Sequence, residues 1–474
     1  MAKYSKITPE IAEQLKSVVG EGRFHYGSDV EERFSHDEMP IYGKALPEAV
    51  CIVESTQEVA DIMKLCNDNL IPVTPRGAGT GLVGGAVPIA GGVVICMERM
   101  NKILSYDMNN LVVHTQVGVL LKDLAADAEE HGLMYPPDPG EKTATLGGNV
   151  STNAGGMRAV KYGVTRDYVL AMKVVLTSGE ILEIGKTVFK TSSGYSLLHL
   201  IIGSEGTLGI ITELTLKLVP KPKMDVSLIL PFKDVASCIA TVPKIKLANL
   251  DPQSIEYMDA DIIETSTAYT GNQVFPKECN GEHVGACILV TFVGNSEEDL
   301  DNRMEGLAAV AEEVGALDVL VVDSPTLKKE VWAARSSFLT AIETSTKLVD
   351  ELDVVVPVDR IAEFLLFTCE VSEEAGVQLR NYGHAGDGNL HVYTCSNDLS
   401  EEEFKRRVKI IMDKAYPKCK EFGGQVSGEH AIGHAKKDYL RDSIGDTAYR
   451  LMGQIKKVFD PNEILNPGKT CTDI

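Results

Sequence analysis

Two histidines in the glycine-rich run Gly383-His384-Ala385-Gly386-Asp387-Gly388-Asn389-Leu390-His391, together with a later Gly428-Glu429-His430, are the side chains best equipped for chemistry. Two imidazoles and a carboxylate with open positions make a donor set for Zn²⁺, Fe²⁺ or Mn²⁺, and one histidine is left over as a base that titrates near neutrality. The spacing of His384 and His391 by itself fits turn histidines on a glycine loop as well as metal ligands. The Glu429-His430 pair favours the metal.

The elements that must hold these groups are legible nearby. Asn389-Leu390-His391-Val392-Tyr393-Thr394 reads as the start of a strand, and the glycines at 383, 386 and 388 permit a backbone that folds His384 back toward His391. A second concentration of unusual residues is Arg76-Gly77-Ala78-Gly79-Thr80-Gly81-Leu82-Val83-Gly84-Gly85, which follows a strand and contains a literal Gly-x-Gly-x-x-Gly. A dinucleotide fold needs a helix to begin inside that loop, and Pro88, Gly91 and Gly92 interrupt one. The loop is better read as successive backbone N–H groups wrapping a diphosphate. Thr145-Leu146-Gly147-Gly148-Asn149, Thr152-Asn153-Ala154-Gly155-Gly156 and Gly203-Ser204-Glu205-Gly206-Thr207-Leu208-Gly209-Ile210-Ile211 share this density of small residues. Any one of them is a plain turn; together they indicate a long cofactor threaded between backbones.

Apolar spacing predicts helices over 8–20 and 57–69 with a buried strand, Ala49 to Val53, between them. Short β-rich runs follow at Gly92 to Met97, Val112 to Val117, Met172 to Leu176 and Leu208 to Leu218. Pro220-Lys221-Pro222 ends this domain, since two prolines in three residues stop a strand. Beyond it, strands near 226–230, 287–293 and 319–322 alternate with helices near 233–247, 296–315 and 359–375, which predicts a second α+β domain on an antiparallel sheet. The ending Asn466-Pro467-Gly468-Lys469 suggests a tail that packs back on the first domain.

At 474 residues with 44% hydrophobic content, the chain has the size of two or three domains. A net charge of −22, from 46 basic and 68 acidic residues, argues against nucleic acid and anionic membranes as partners, so an anionic substrate needs a local positive pocket. Ten scattered cysteines without Cys-x-x-Cys suggest reduced thiols and no iron–sulfur cluster. The N-terminus reads as a helix start and not as an export signal, and no stretch is long enough to span a bilayer, so a cytoplasmic location is expected.

These motifs, with Pro136-Pro137-Asp138-Pro139 through Gly163 and the Asn466-Pro467-Gly468-Lys469 ending, resemble the FAD-linked 2-hydroxyacid dehydrogenases. That is the glycolate oxidase large-subunit and D-lactate dehydrogenase group of the vanillyl-alcohol oxidase flavoprotein fold, and the resemblance spans residues from about 45 to 470. It implies an α+β protein with a two-subdomain FAD-binding domain over 45–222, a cap domain with an antiparallel sheet over 223–419, an N-terminal helical segment over 1–44 and a C-terminal segment over 420–474 that completes the site. The implied FAD contacts are the loop from Arg76 to Leu82 with Gly85; Pro137 and Asp138; Thr145, Gly147, Gly148 and Asn149; Thr152 to Gly155; Glu205, Gly206, Gly209, Ile210 and Ile211; and Asn466. Relatives with covalent flavin carry histidine where this chain has Thr80, which implies dissociable FAD.

The same resemblance puts the isoalloxazine between FAD domain and cap, with His384, His391 and Glu429 as metal ligands and His430 as the base. Arg335, in Trp332-Ala333-Ala334-Arg335, becomes the partner of the substrate carboxylate, which an arginine grips in a two-pronged geometry. Relatives that accept dicarboxylic hydroxy acids have a lysine near Glu351 and an asparagine at Tyr393, so this chain is expected to prefer a small D-2-hydroxy monoacid, lactate first and glycolate second. Electrons are expected to pass to a protein partner such as electron-transferring flavoprotein. The alternative is a glycolate dehydrogenase or oxidase subunit that feeds a quinone, an iron–sulfur partner or oxygen.

Overall fold

A computed structural model describes residues 3–472, which form two compact units: 3–154 with Val164–Lys221 and 429–472, and Gly155–Gly163 with Pro222–Gly428. In the first unit, the helix Pro9–Val19 starts where the Thr8 side chain accepts from the Ile11 N–H with proline in the first turn, and it buries Ile11, Leu15 and Val19 on one face. The helix Thr56–Asp68 is capped by Ser55 in the same way. Between them the strand Ala49–Ile52 is buried at every position, because it runs parallel to Val93–Cys96 inside a four-stranded sheet that also holds Val73–Arg76 and, antiparallel at the edge, Phe24–Tyr26. A five-stranded antiparallel sheet follows, in the order Ile103–Asp107, Val112–Gln116, Ile210–Lys217, Val169–Val175, Ile181–Gly185.

One element departs from the sequence reading. The stretch around Thr145 to Thr152, read above as glycine-dense loop, contains the helix Leu146–Thr152, capped by the Thr145 hydroxyl at 3.2 Å from the Gly148 N–H and ended by Asn153 in the left-handed conformation. Two glycines in seven residues conceal the helical period; the cap residues carry the only local signal.

The second unit is built on a seven-stranded antiparallel sheet, ordered Leu320–Val322, Met224–Phe232, Ala286–Gly294, Ser254–Asp259, Gln378–His384, Asn389–Ser396, Leu348–Val355. The helices Val235–Leu247, Glu297–Val314 and Ile361–Ala375 fall where the apolar spacing predicts them. Ala286–Gly294 is buried throughout and paired on both sides, so its near-continuous apolar sequence marks a central strand. No helix among the described residues is long and apolar enough to cross a membrane.

The tail returns onto the first unit as an added strand residue. Leu465 bridges Val73 in parallel, the Val73 N–H donates to the Ile464 carbonyl at 2.8 Å, and the Asn466 N–H donates to the Val73 carbonyl at 2.7 Å. Just beyond, the Lys469 ammonium is fully buried and donates to the Val87 carbonyl at 2.5 Å. Burial pushes its pKa down from 10.5 to about 7, against the upward pull of Glu205 and Asp37. The unfolded chain therefore holds a proton that the folded chain rejects between about pH 7 and 10.5, and stability rises with pH across that window. Lys469→Met should remove that rise, worth about 3 kcal/mol between the two conditions, in urea melts compared at pH 7 and about pH 9.5. A variant whose pH dependence matched the parent's would reject this account.

Candidate active site

The glycine loop of the first unit leaves the strand Val73–Arg76 and contains no helix before the strand Val93–Cys96. Its path is held from outside: the Asp37 carboxylate accepts from the Gly84 N–H at 2.6 Å, and the Glu38 N–H donates to the Gly81 carbonyl at 3.1 Å. Burial pushes the Asp37 carboxyl up to about 6 despite these bonds. The Gly77 backbone lies so close to Thr145 that a Cβ would fall 2.2 Å from its hydroxyl. The loop is thus packed against the cap of the helix Leu146–Thr152.

All four small-residue segments converge. The Gly203 N–H donates to Val150 and the Glu205 N–H to Ser151, at 3.0 and 2.8 Å, which ties the Gly203 to Ile211 segment to that helix. Asn466 Nδ2 donates to the carbonyls of Gly85 and Glu205, at 3.0 and 2.8 Å, and so joins the tail to both the glycine loop and the Glu205 turn. Asn149 Nδ2 and the Asn466 Oδ1 are buried without a hydrogen-bond partner. Orphaned amide atoms beside crowded backbone fit a polar cofactor laid across these segments.

Two side chains do structural tasks that their motifs do not announce. The Arg76 guanidinium packs against Gly79 of its own loop, where a Cβ would fall 2.0 Å from Nη2, and donates to the carbonyls of His36 and Arg33 at 2.8 and 2.9 Å. The buried Glu205 carboxylate accepts from the N–H groups of Ile432 and Gly433 and from the Thr470 hydroxyl at 3.1, 2.7 and 3.1 Å. Burial raises its pKa, and these bonds work against the rise. Asp138 forms an ion pair with Lys142 at 2.6 Å.

In the second unit the two histidines sit on a hairpin. Gln378–His384 pairs with Asn389–Ser396, and the turn between them needs Gly388 at φ +91°, where a Cβ would meet the Val356 carbonyl at 2.1 Å. Register then selects the neighbours. His384 lies opposite Glu256 of the strand Ser254–Asp259, while His391 lies opposite Asp353 of Leu348–Val355 and diagonal to Glu351. His384 Nδ1 is 3.0 Å from both Glu256 oxygens, and His391 Nδ1 is 3.0 Å from Glu351 Oε1. The two rings stand perpendicular, 5.2 Å between centroids, and all four side chains are buried. With each Nδ1 directed at a carboxylate, each Nε2 keeps its lone pair, which is the arrangement a histidine uses to ligate a metal. The donor chemistry therefore fits a divalent cation.

Arg335, on the helix Pro325–Ser336, is buried with its Nε and Nη2 on Glu256 at 3.0 and 2.5 Å and its guanidinium over the rings of Phe338 and Tyr382. One edge of the fork expected to face substrate thus engages a protein carboxylate. Burial alone would raise the Glu256 pKa; His384 and Arg335 outweigh it and hold the carboxyl below its ordinary value. Asp353 is fully buried and accepts from Asn389 Nδ2 at 2.8 Å, from the Ser427 hydroxyl at 2.6 Å and from the Gly428 N–H at 3.1 Å. It anchors the last residues of this unit one peptide bond before Glu429. In the first unit's segment, His430 Nε2 is 3.7 Å from Glu429 Oε1 and the imidazole is partly exposed. Glu256 and Asp353 were missed by sequence reasoning, which singled out Glu351 for specificity and not as a neighbour of His391; acidic residues at alternating strand positions were the local signal for Glu351 and Asp353.

The pattern described as FAD binding domain matches residues 47–185, and that described as FAD linked oxidases, C-terminal domain, matches residues 221–470. The chain is 58% identical to a D-lactate dehydrogenase of Anaerostipes hadrus, over 99% of this chain and 98% of that protein. It is 34% identical to the glycolate oxidase subunit GlcD of Bacillus subtilis, over 98% and 97%. Among solved structures, p-cresol methylhydroxylase with substrate bound superposes with a TM-score of 0.82 at 18% identity, covering 99% of this chain and 98% of that one. The fold is the α+β flavoprotein architecture of the vanillyl-alcohol oxidase type, with an FAD-binding domain and a C-terminal domain. Within it, this chain belongs to the FAD-linked oxidases and is an oxidoreductase of the group acting on CH–OH donors.

Close packing at Gly77 is directly testable. Gly77→Ala should cost about 1–3 kcal/mol, because the methyl group displaces the Thr145 cap, whereas Gly81→Ala, whose Cβ would sit an ordinary 3.7 Å from Asp37, should change stability by less than about 0.5 kcal/mol. Thermal melts of the FAD-free proteins separate the two; equal losses would show that the loop does not rest on Thr145.

Proposed function

We propose that this enzyme oxidises a small D-2-hydroxy monocarboxylate, D-lactate before glycolate, to the 2-oxo acid, and passes the electrons to a redox protein of the electron-transferring flavoprotein type. The observation that carries the reading is the pair of buried imidazoles, each with Nδ1 3.0 Å from a glutamate oxygen, the way metal-ligating histidines are held. The name of the relative at 58% identity supports the choice of lactate.

When bound, FAD supplies the hydride acceptor, and a divalent cation held by His384, His391 and Glu429 supplies Lewis acidity at the substrate hydroxyl. His430 takes the hydroxyl proton, a task suited to a group whose unperturbed pKa lies near neutrality. Arg335, always charged, attracts the substrate carboxylate with the part of its fork that Glu256 leaves over. Glu351 and the buried ring of Tyr393 face one another across paired strands, so a second carboxylate brought there would meet a negative charge and an apolar wall. Thr80 offers no nucleophilic nitrogen to the flavin ring, so FAD is held without a covalent bond.

Anaerobic mixing with D-lactate should bleach the oxidised flavin in a single turnover, with kcat/KM for D-2-hydroxyglutarate lower by at least about 10-fold, the loss expected from about 1.4 kcal/mol of unpaired charge. His430→Asn should slow that reduction by about 10²- to 10⁴-fold with FAD retained. Denaturation should release all of the flavin into the supernatant. Equal reduction by the two acids would remove the monocarboxylate assignment, and an unchanged rate in His430→Asn would remove the base.

A further inference from the structure

Glu256 is distant in sequence from every motif read above, yet it is fully buried and is the meeting point of His384 and Arg335. We propose that Glu256 is a positioning residue: its carboxylate, charged and clamped by Arg335, accepts the Nδ1–H of His384 and thereby fixes the tautomer and ring angle that present Nε2 to a divalent cation. The proposal rests on the reading of His384 as a metal ligand.

Three observations carry it. Glu256 and His384 are register partners on adjacent strands, so the sheet ladder sets their separation and not a flexible loop. His384 Nδ1 is equidistant, at 3.0 Å, from both carboxylate oxygens, which restrains the imidazole from rotating about its χ2 axis. Arg335 Nε and Nη2 both bind Oε2, and the guanidinium is itself fixed over the Phe338 and Tyr382 rings at 5.2 and 4.9 Å. A buried carboxylate with a permanently charged partner stays ionised, and an ionised carboxylate can only accept. The proton of a neutral His384 therefore sits on Nδ1.

Glu256→Gln tests the idea, because a glutamine amide of the same size can flip and present N–H to Nδ1, which selects the wrong tautomer. Zinc affinity of the FAD-loaded protein, measured by chelator competition with Zn²⁺ alone, should fall about 10- to 100-fold, with FAD content close to the parent's. Removal of one member of a buried pair leaves Arg335 uncompensated, so the charge-balanced Glu256→Gln/Arg335→Met protein is the second variant. It should fold and show the same loss of zinc affinity. Either variant, folded and binding Zn²⁺ as tightly as the parent, overturns the positioning role while the metal reading survives. A parent that binds no Zn²⁺ overturns both.

Discussion

The register of the second unit's antiparallel sheet is the constraint on which the candidate chemistry depends. Side chains alternate between faces with a period of two, so one pairing scheme puts Glu256, His384, His391, Asp353 and Glu351 where they can meet, and a slip of one residue would turn whole sets of them to the other face. Several positions resist such a slip. Tyr382 stacks on Tyr393 at 5.6 Å between centroids, and both rings belong to an apolar cluster with Met258, Phe338 and Ile342. The same aliphatic and aromatic packing that stabilises the sheet keeps the ionisable groups in line.

Burying three carboxylates beside two imidazoles is costly unless each finds a partner. The solution differs from one acid to the next. Glu256 is neutralised by Arg335, Glu351 faces His391, and Asp353 accepts from one amide side chain, one hydroxyl and one backbone N–H. Asp353 also has a conformational effect, since the residues it pins, Ser427 and Gly428, lead directly into Glu429-His430. A loop so tethered loses little further freedom when a ligand arrives.

The first unit uses buried charge differently. Glu205 and Asp37 hold backbone N–H groups of neighbouring segments, and Lys469 reaches a loop carbonyl from the far end of the chain. The glycine loop has few side chains of its own to pack, so the surroundings must define its path. That explains why Arg76 and Glu205, both embedded in cofactor-like motifs, spend their polar atoms on protein groups.

Much of this was legible beforehand. Helix periods, strand composition and the proline pair at 220 and 222 located most elements, and the glycine-dense motifs pointed to the cofactor, while the histidine-bearing one marked the hairpin that holds His384 and His391. The helix Leu146–Thr152 escaped because glycine erases periodicity. What the linear order determined was which residue types were available and on which short turns they lay, since those depend on local backbone preferences and chemical identity. What only the tertiary structure decided was who pairs with whom: Glu256 with His384 and Arg335, Glu351 with His391, Asp353 with Gly428, Asn466 with Gly85 and Glu205. Those contacts join residues far apart along the chain; strand order and register bring the histidines to their carboxylates, and the return of the tail along Val73 brings Asn466 to Gly85 and Glu205.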